Sequence, residues 1–282
     1  MRVEYREEPC RSALNRVQGM PFPWSLNPYM GCAHRCTFCY VRAFELRAER
    51  PSGERYGTSI RVKTNVAEVL RRELARPSWQ REPVSIGAAT DPYQPAEGRY
   101  RLTRACIEVL AAAATPFSII TRGPLIVRDV DVLAAAARRA NVSVVFSVPT
   151  LDLEVWRRTE PGTAPPRQRL RALRELVEAG VDAGVAMAPI LPGLSDRPEL
   201  LAEVVRAARA AGATSIWASL LHLKPGTREH FLGALARDWP EQLPAYERLY
   251  AERAYLPAEQ TKPVRQRVGA LARAHGIGDR RR

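Results

Sequence analysis

Short, nearly uninterrupted apolar runs alternate with alanine- and leucine-rich stretches from about residue 80 onward, one pair about every 30 residues. This rhythm is typical of βα units whose parallel strands are covered on both faces. An earlier apolar run, before the first cluster of cysteines, supplies one more strand. The pattern therefore predicts strands at 24–30, 83–90, 117–122, 142–148, 182–190 and 215–221.

The helices between these strands carry recognisable end signals. Asn65 and Asp196 each stand three residues before a glutamate, which resembles the capping box at a helix start. Gly180 and Gly212 follow apolar helical stripes, where a C-terminal cap needs a residue that tolerates positive φ. The sequence thus predicts helices beginning after Asn65 and Asp196, and helices ending before the two glycines.

Six βα units predict the architecture. They are too few to close the usual eight-stranded barrel, so we expect an α/β fold, a partial (β/α)6 TIM-like open barrel with its site at the C-terminal strand ends. An ordinary doubly wound sheet is the alternative. From about residue 222 the pattern is helical without strands. The predicted organisation is an N-terminal segment at 1–22, the barrel at 23–225 and a helical C-terminal extension at 226–282, with a surface loop at 47–59.

Composition narrows the class of protein. The chain has 282 residues, of which 46% are hydrophobic, and no apolar run reaches the roughly 18 residues of a spanning helix. The N-terminus mixes acidic and basic residues and lacks the apolar core of a secretory signal. We therefore expect a cytoplasmic protein with no membrane partner, in a compartment where clustered cysteines bind metals or do chemistry.

The charge balance is strongly positive. The net charge of +13 favours an acidic partner such as nucleic acid. Only Lys63, Lys224 and Lys262 are lysines, so the other 40 of the 43 basic residues are arginines, which genome composition would also explain. The arginines are spread along the chain and form no single basic run with interleaved aromatics. The charge alone leaves a nucleic-acid partner open.

Three of the five cysteines fall within eight positions, at Cys32, Cys36 and Cys39. This C-x3-C-x2-C cluster follows the first strand, at the edge of the sheet where we expect the active site. A zinc ion would need four ligands, and His34 in the same loop is the only nearby fourth candidate. Three thiolates can also hold an iron–sulfur cluster whose fourth iron stays open to a small ligand.

The two remaining cysteines stand apart from this motif. Cys106 lies on a helix predicted over 102–114, on the same face as Leu102, Val109 and Leu110, so a buried structural thiol is one interpretation. Cys10 is isolated and has no predicted role.

The cysteine motif, with Phe38 before its last cysteine and a βα array after it, resembles the radical S-adenosylmethionine superfamily. Within it, NPYMGCAHRCTFCY, TDPYQPAEGRY, ITRGPLIVRDVDVL and APILPGLSD are similar to the spore photoproduct lyase-like branch, also labelled SplB-like or DNA repair photolyase. The resemblance covers roughly residues 20–255. No flavin-binding motif is present, so a light-driven photolyase is not implied.

The resemblance implies two cofactors and a reaction type. A 4Fe-4S cluster is held by Cys32, Cys36 and Cys39, and S-adenosylmethionine binds its fourth iron. A reductant such as flavodoxin or ferredoxin supplies an electron, the sulfonium is cleaved, and a 5′-deoxyadenosyl radical abstracts hydrogen from a substrate in a lyase- or transferase-type reaction. The substrate stays open among nucleic acid, peptide and small molecule. The alternative is a non-catalytic zinc- or nucleic-acid-binding protein that uses the same cysteines structurally.

The resemblance also implies where S-adenosylmethionine is bound. Asp91 with Thr90 ends the second strand and is a candidate acceptor for the methionine ammonium, although an Asp-Pro turn explains it equally. Arg122, or Thr121 beside it, ends the third strand and suits the methionine carboxylate. The other predicted contacts are Phe38, Tyr40, Ser147 and, next to Ala188, Pro189.

Substrate contacts are less specified. Tyr93, with Gln94 and Glu97, lies close to the expected radical, while His222 and Lys224 end the sixth strand. Spore photoproduct lyases are expected to carry an additional cysteine as hydrogen donor at the end of the second strand, where this chain has Ala89 and Thr90. Cys106, on the following helix, is the remaining candidate, so Tyr93 and Cys106 are the predicted catalytic residues.

Overall fold

A computed structural model describes residues 3–278. Its strands are β1 (Glu4–Glu8), β2 (Leu14–Arg16), β3 (Trp24–Leu26), β4 (Tyr29–Met30), β5 (Ser59–Lys63), β6 (Val84–Ile86), β7 (Phe117–Thr121), β8 (Val142–Ser147), β9 (Asp182–Ile190) and β10 (Ile216–Leu220). Its α-helices are α1 (Val41–Arg47), α2 (Val66–Leu74), α3 (Pro95–Tyr100), α4 (Leu102–Ala112), α5 (Val130–Ala137), α6 (Leu153–Thr159), α7 (Pro166–Glu178), α8 (Pro198–Ala210), α9 (Thr227–Asp238), α10 (Leu243–Leu249) and α11 (Ala258–Ala274). Two short 3-10 helices cover Pro124–Asp129 and Pro240–Gln242.

The main sheet confirms the predicted mixed α/β class with parallel strands. Its order is β10-β9-β8-β7-β6-β3-β2, in which β3 pairs parallel with β6, β6 with β7, β7 with β8 and β9 with β10. β2 pairs antiparallel with β3 at one end. From β3 the order follows the chain without the reversal of a doubly wound sheet, so that alternative is wrong. No closed barrel is present in the described residues.

The strand bounds differ from the prediction where the backbone cannot continue pairing. The run at 24–30 divides into β3 and β4 around Asn27 and Pro28, because proline has no amide hydrogen for the ladder. β6 ends at Ile86, since Gly87 has φ +93° and the backbone turns there. β9 covers 182–190, as predicted.

A second, three-stranded sheet was not predicted. Its order is β1-β5-β4, with β1 parallel to β5 and β4 antiparallel to it. β1 has the sequence EYREE, in which charged residues replace the alternation of apolar and polar positions that indicates a strand. It pairs on one side only, and charged side chains are common on such edge strands. The predicted loop at 47–59 joins α1, which ends at Arg47, to β5, and residues 48–58 contain no helix or strand.

The predicted helix ends are largely confirmed. α2 begins at Val66 with Asn65 at its N-cap, although the Asn65 side chain accepts from the Cys10 amide (2.7 Å) instead of capping the helix. α8 begins at Pro198, so Arg197 rather than Asp196 is its N-cap. Gly180 and Gly212 have φ of +82° and +83° after α7 and α8, the conformation that a C-terminal glycine supplies.

The chain divides into two compact units, each with its own core. The first unit comprises 1–33, 57–146 and 168–184 of the chain, and Tyr29, Ile60 and Val62 are fully buried within it. The second comprises 34–56, 147–167 and 185–282, and in it α11 packs against β10 and α8. α9, α10 and α11 confirm the helical character of the C-terminal part, whereas the predicted domain boundaries stay a prediction. In residues 3–278 no helix is long and apolar enough to cross a membrane.

Candidate active site

The cysteine motif lies between β4 and α1, and backbone turns organise its second half. The Cys39 amide donates to the Cys36 carbonyl (3.2 Å), and the Arg42 amide donates to the Cys39 carbonyl (3.1 Å). Cys32 and Cys36 are buried, while Cys39 is half-buried. None of the described cysteines is in a disulfide. The motif therefore keeps three thiols within one short, ordered loop.

The zinc alternative finds no support in this geometry. Within residues 3–278, no three His, Cys, Asp or Glu side chains converge as they would around a single metal ion. In a cluster of several irons each thiolate binds a different iron, so the three sulfurs need not converge on one point. Three thiols in one loop are the kind of donor set that an iron–sulfur cluster uses.

A buried arginine stabilises the cysteine loop from inside. Arg42 on α1 is only 2% exposed. Its Nη1 donates to the carbonyls of Ser52 and Gly53 at 2.7 Å each, and its Nε and Nη2 donate to the Cys36 carbonyl at 3.4 and 3.3 Å. Burial lowers the pKa of its guanidinium, and the nearby Cys39 thiol partly offsets this. A buried cation beside thiols favours their thiolate form, which is the metal-binding form.

Two other contacts hold Cys39. Its Sγ lies 3.4 Å from the hydroxyl of Tyr56, whose ring faces the Arg42 guanidinium with 4.5 Å between the ring centroid and Cζ. The hydroxyl of Thr227 donates to the Cys39 carbonyl (3.1 Å). Sequence reasoning missed Tyr56 and Thr227, because partners 17 and 188 residues from Cys39 leave no local signal. It missed Arg42 because arginine is mostly an exposed residue, and its burial is not visible in the sequence.

In the first unit, Gln94 and Thr90 hold the backbone around Cys32. The side chain of Gln94 is fully buried; it accepts from the Ala33 amide (2.9 Å) and donates to the Gly31 carbonyl (3.0 Å). The Thr90 hydroxyl donates to the same carbonyl (2.7 Å). Gln94 was predicted to contact substrate and Thr90 to contact the cofactor. Both side chains donate to the Gly31 carbonyl, immediately before the first cysteine of the motif.

Asp91 joins two of the predicted cofactor residues. Its carboxylate accepts from the Thr121 hydroxyl (2.6 Å), the Arg122 amide (2.6 Å) and the Tyr93 amide (2.9 Å). The structure thereby brings Asp91, Thr121 and Arg122 together, as expected for neighbouring strand ends. The bonds to Arg122 and Tyr93 also show that Asp91 organises backbone, which the alternative of an Asp-Pro turn anticipated.

Behind Asp91 lies a network of buried carboxylates. Glu97 and Asp129 are fully buried, and Arg128 donates to both at 2.8 Å. Glu97 also accepts from the hydroxyl of Tyr29 (2.5 Å), and Asp129 accepts from Arg104 (3.2 Å). Because each buried charge has an opposite charge and further hydrogen bonds, the network holds α3 and α4 without a ligand.

The two predicted catalytic residues are both enclosed. The Tyr93 hydroxyl donates to Asp129 (3.1 Å), and burial raises the pKa of Tyr93, as do the charges of Asp129 and Glu97. Cys106 on α4 is fully buried, and burial raises the pKa of its thiol. The interpretation of Cys106 as a buried thiol is confirmed. Catalytic roles for Tyr93 and Cys106 stay predictions.

The remaining predicted residues differ in exposure. Phe38 and Ser147 are buried, Pro189 is half-buried, and Tyr40 is 39% exposed. The rings of Tyr40 and His222 are neighbours, with centroids 6.0 Å apart. Tyr40 and His222 thus place one predicted cofactor residue beside one predicted substrate residue.

Comparison with known proteins identifies related sequences. The model of the radical SAM superfamily matches residues 26–227. An uncharacterized protein of Mycobacterium tuberculosis is 42% identical over 283 residues, which cover 99% of this chain and 83% of that protein. An uncharacterized protein of Acidianus two-tailed virus is 28% identical, over 71% of this chain and 67% of the viral protein.

Among solved structures, a spore photoproduct lyase variant with bound S-adenosylmethionine and dinucleoside spore photoproduct is similar to this chain. The TM-score is 0.72 at 16% sequence identity, and the match covers 96% of this chain and 79% of that one. A second variant of the same lyase gives a TM-score of 0.72 at 15% identity. At such identities the similarity establishes the fold alone.

Proposed function

Because the chain belongs to the radical SAM superfamily, whose members use S-adenosylmethionine and an iron–sulfur cluster, we propose that Cys32, Cys36 and Cys39 hold a 4Fe-4S cluster. The fourth iron, which has no cysteine ligand in the motif, would be the position for S-adenosylmethionine. The observation that carries this proposal is the ordered turn of Cys36 and Cys39 around the buried guanidinium of Arg42. That arrangement gives a cluster its thiolate ligands and a compensating positive charge.

When bound, the cluster would supply one-electron chemistry for the reductive cleavage of S-adenosylmethionine and for hydrogen abstraction from the substrate. The chain's own residues position the reactants and exclude water. Arg42 and Tyr56 fix the geometry of the Cys39 side, and Gln94 fixes the backbone at Cys32.

The cofactor contacts follow from the chemistry of S-adenosylmethionine. Asp91 is the carboxylate for the methionine ammonium, and the Arg122 side chain is the cation for the methionine carboxylate. The other residues contribute hydroxyls and apolar surface for the ribose and adenine. These are Phe38, Tyr40, Thr90, Ser147 and Pro189.

The residues that act on the substrate are assigned from their places in the sequence, after the second predicted strand. Tyr93 and Cys106 act on the substrate rather than on the cofactor, and an acidic reductant such as flavodoxin or ferredoxin delivers the electron. The excess of positive charge favours nucleic acid as the substrate class. We assign the catalytic part to residues 23–225, with 226–282 as an extension, in a reducing cytoplasm that keeps the thiols available.

Anaerobic reconstitution with iron and sulfide tests the proposal. The reconstituted chain should carry about four irons and, with dithionite, convert S-adenosylmethionine to 5′-deoxyadenosine. Cys36→Ala should lose both properties, because the cluster loses one of three protein ligands. Iron content and 5′-deoxyadenosine are measured together.

Cys10→Ala is the matched control, since Cys10 lies outside the motif and the Asn65 side chain contacts only its backbone. This variant should retain iron and cleavage. Cys106→Ala should also retain cleavage, because its assigned role concerns the substrate. Zinc bound in place of iron, or cleavage that survives in Cys36→Ala, would contradict the proposal.

A further inference from the structure

Four aromatic rings of the second unit form a continuous row. The ring centroids of Phe44 and Tyr40 are 6.0 Å apart, and those of Tyr40 and His222 are also 6.0 Å apart. His222 stacks on Tyr255 with 4.9 Å between centroids and 10° between planes. We call Phe44, Tyr40, His222 and Tyr255 the aromatic row.

Backbone pairing holds one end of the aromatic row in place. His222 and Tyr255 form an antiparallel β-bridge, and the Leu223 amide donates to the Ala254 carbonyl (2.8 Å). The hydroxyl of Tyr250 donates to the carbonyl of Leu221 (2.8 Å), the residue before His222. The ring of Tyr255 is therefore positioned by main chain that is itself tied down, so it loses little freedom when it contacts a ligand.

The aromatic row exposes apolar surface. Tyr255 is 57% exposed, Phe44 42% and Tyr40 39%. In residues 3–278 only three other large hydrophobic side chains are as exposed, and these are Met20, Leu46 and Leu153. Scattered exposed hydrophobic residues are ordinary, whereas contiguous ones mark interaction sites.

Positive charges flank the row at both ends. The Lys224 ammonium lies 5.7 Å from the Tyr255 ring centroid, and the Arg47 guanidinium carbon lies 5.0 Å from that of Phe44. Burial and Lys224 lower the pKa of His222, so its ring is neutral and suited to stacking at pH 7. Aromatic faces between cations match the alternation of bases and phosphates in single-stranded nucleic acid.

We infer that the aromatic row binds a single-stranded segment of nucleic acid, with bases stacked on the exposed rings and phosphates against Lys224 and Arg47. Tyr40, the second ring of the row, directly follows Cys39 in the chain, so a strand bound to the row passes beside the last cysteine of the motif. The inference rests on the proposed function for the reaction and names its substrate class. The alternative occupant is an acidic reductant protein. Its binding would use the positive charges of Lys224 and Arg47 but would not require a row of aromatic rings.

Fluorescence anisotropy with a labelled 12-nucleotide oligo(dT) tests the inference on the full chain, with and without the reconstituted cluster. Tyr255→Ala should weaken binding about tenfold, because one stacked base is lost, whereas Tyr255→Phe should bind like the wild type. Lys224→Gln should reduce the slope of log K against log salt by about 1. Circular dichroism and melting of each variant check that it folds.

Tyr100→Ala is the matched control. Tyr100 lies in the first unit beside Arg99, with 4.8 Å from the guanidinium carbon to its ring, but its hydroxyl donates to Glu7. Oligonucleotide binding should be unchanged in this variant. Equal losses in Tyr255→Ala and Tyr100→Ala, or no loss in either, would overturn the inference.

Two further results separate this inference from the proposed function. If the wild type cleaves S-adenosylmethionine but Tyr255→Ala impairs only reduction by flavodoxin and not oligonucleotide binding, the row is a reductant site and the inference fails. If cleavage is absent while oligonucleotide binding depends on Tyr255, the inference stands and the proposed function fails.

Discussion

Two arginines show how differently the two compact units treat a positive charge. Arg128 in the first unit donates to the carboxylates of Glu97 and Asp129, and these hydrogen bonds raise its pKa. Arg42 in the second unit is buried against backbone carbonyls, and burial lowers its pKa. In the described part of the chain Arg42 makes no ion pair with a carboxylate.

The difference indicates what each region is for. Around Arg128 every buried charge is matched within the chain, so the network is complete as a structural element. Around Arg42 the charge acts first on the Cys39 thiol, and also on Tyr56, Cys36 and, outside ion-pair distance, Glu54. A buried cation beside thiols, with no carboxylate in direct contact, is suited to stabilise thiolates or an anionic cluster.

The largest expected effect comes from breaking the matched network. Glu97→Gln removes one of the two buried carboxylates that pair with Arg128 and should lower the free energy of unfolding by roughly 3 kcal/mol. Urea denaturation of the wild type and the variant measures it. Glu68→Gln, in an exposed pair with Arg72, is the control and should cost under about 0.5 kcal/mol. Equal costs at the two sites would end the distinction between a buried network and a surface pair.

An intermediate effect is expected at Arg42. Arg42→Met keeps much of the volume but leaves several carbonyls without donors, which should cost about 2 kcal/mol in the protein without iron. Reconstituted Arg42→Met should also retain less iron than the wild type. Iron content and urea denaturation of both forms are the measurements. Full iron content in this variant would show that the cysteine loop does not depend on the charge.

The smallest expected effect concerns pH. Burial and the nearby Arg42 lower the pKa of His230 to about 4, below its ordinary 6.5. The unfolded chain therefore takes up a proton near pH 6.5 that the folded chain refuses until about pH 4, so stability falls as pH drops through this window. The contribution is on the order of 1 kcal/mol, because His230 is only partly buried. Melting temperatures at pH 7.5 and pH 5 should differ less in His230→Gln than in the wild type; an identical difference would show that His230 does not contribute to this pH dependence.

Much of the fold was predictable because its signal is local. The alternation of apolar strands with alanine-rich helices gave six parallel strands, and Gly180 and Gly212 gave two helix ends. β1 and β5 were missed because parallel pairing between residues 4–8 and 59–63 has no local pattern. The run at 24–30 divides into β3 and β4 where strand pairing stops at Pro28, and the strand propensity of the residues does not indicate that point.

The spacing of Cys32, Cys36 and Cys39 carries the signal for the radical SAM superfamily, since three cysteines within eight residues stay together in any fold that keeps the loop intact. The tertiary structure alone decided which groups surround that loop. Tyr56 and Thr227 converge on Cys39, and Asp91 joins the ends of two strands, through contacts between residues far apart in the chain. Such contacts depend on packing and burial, which change the energy of a charge but leave no trace in the spacing of residues.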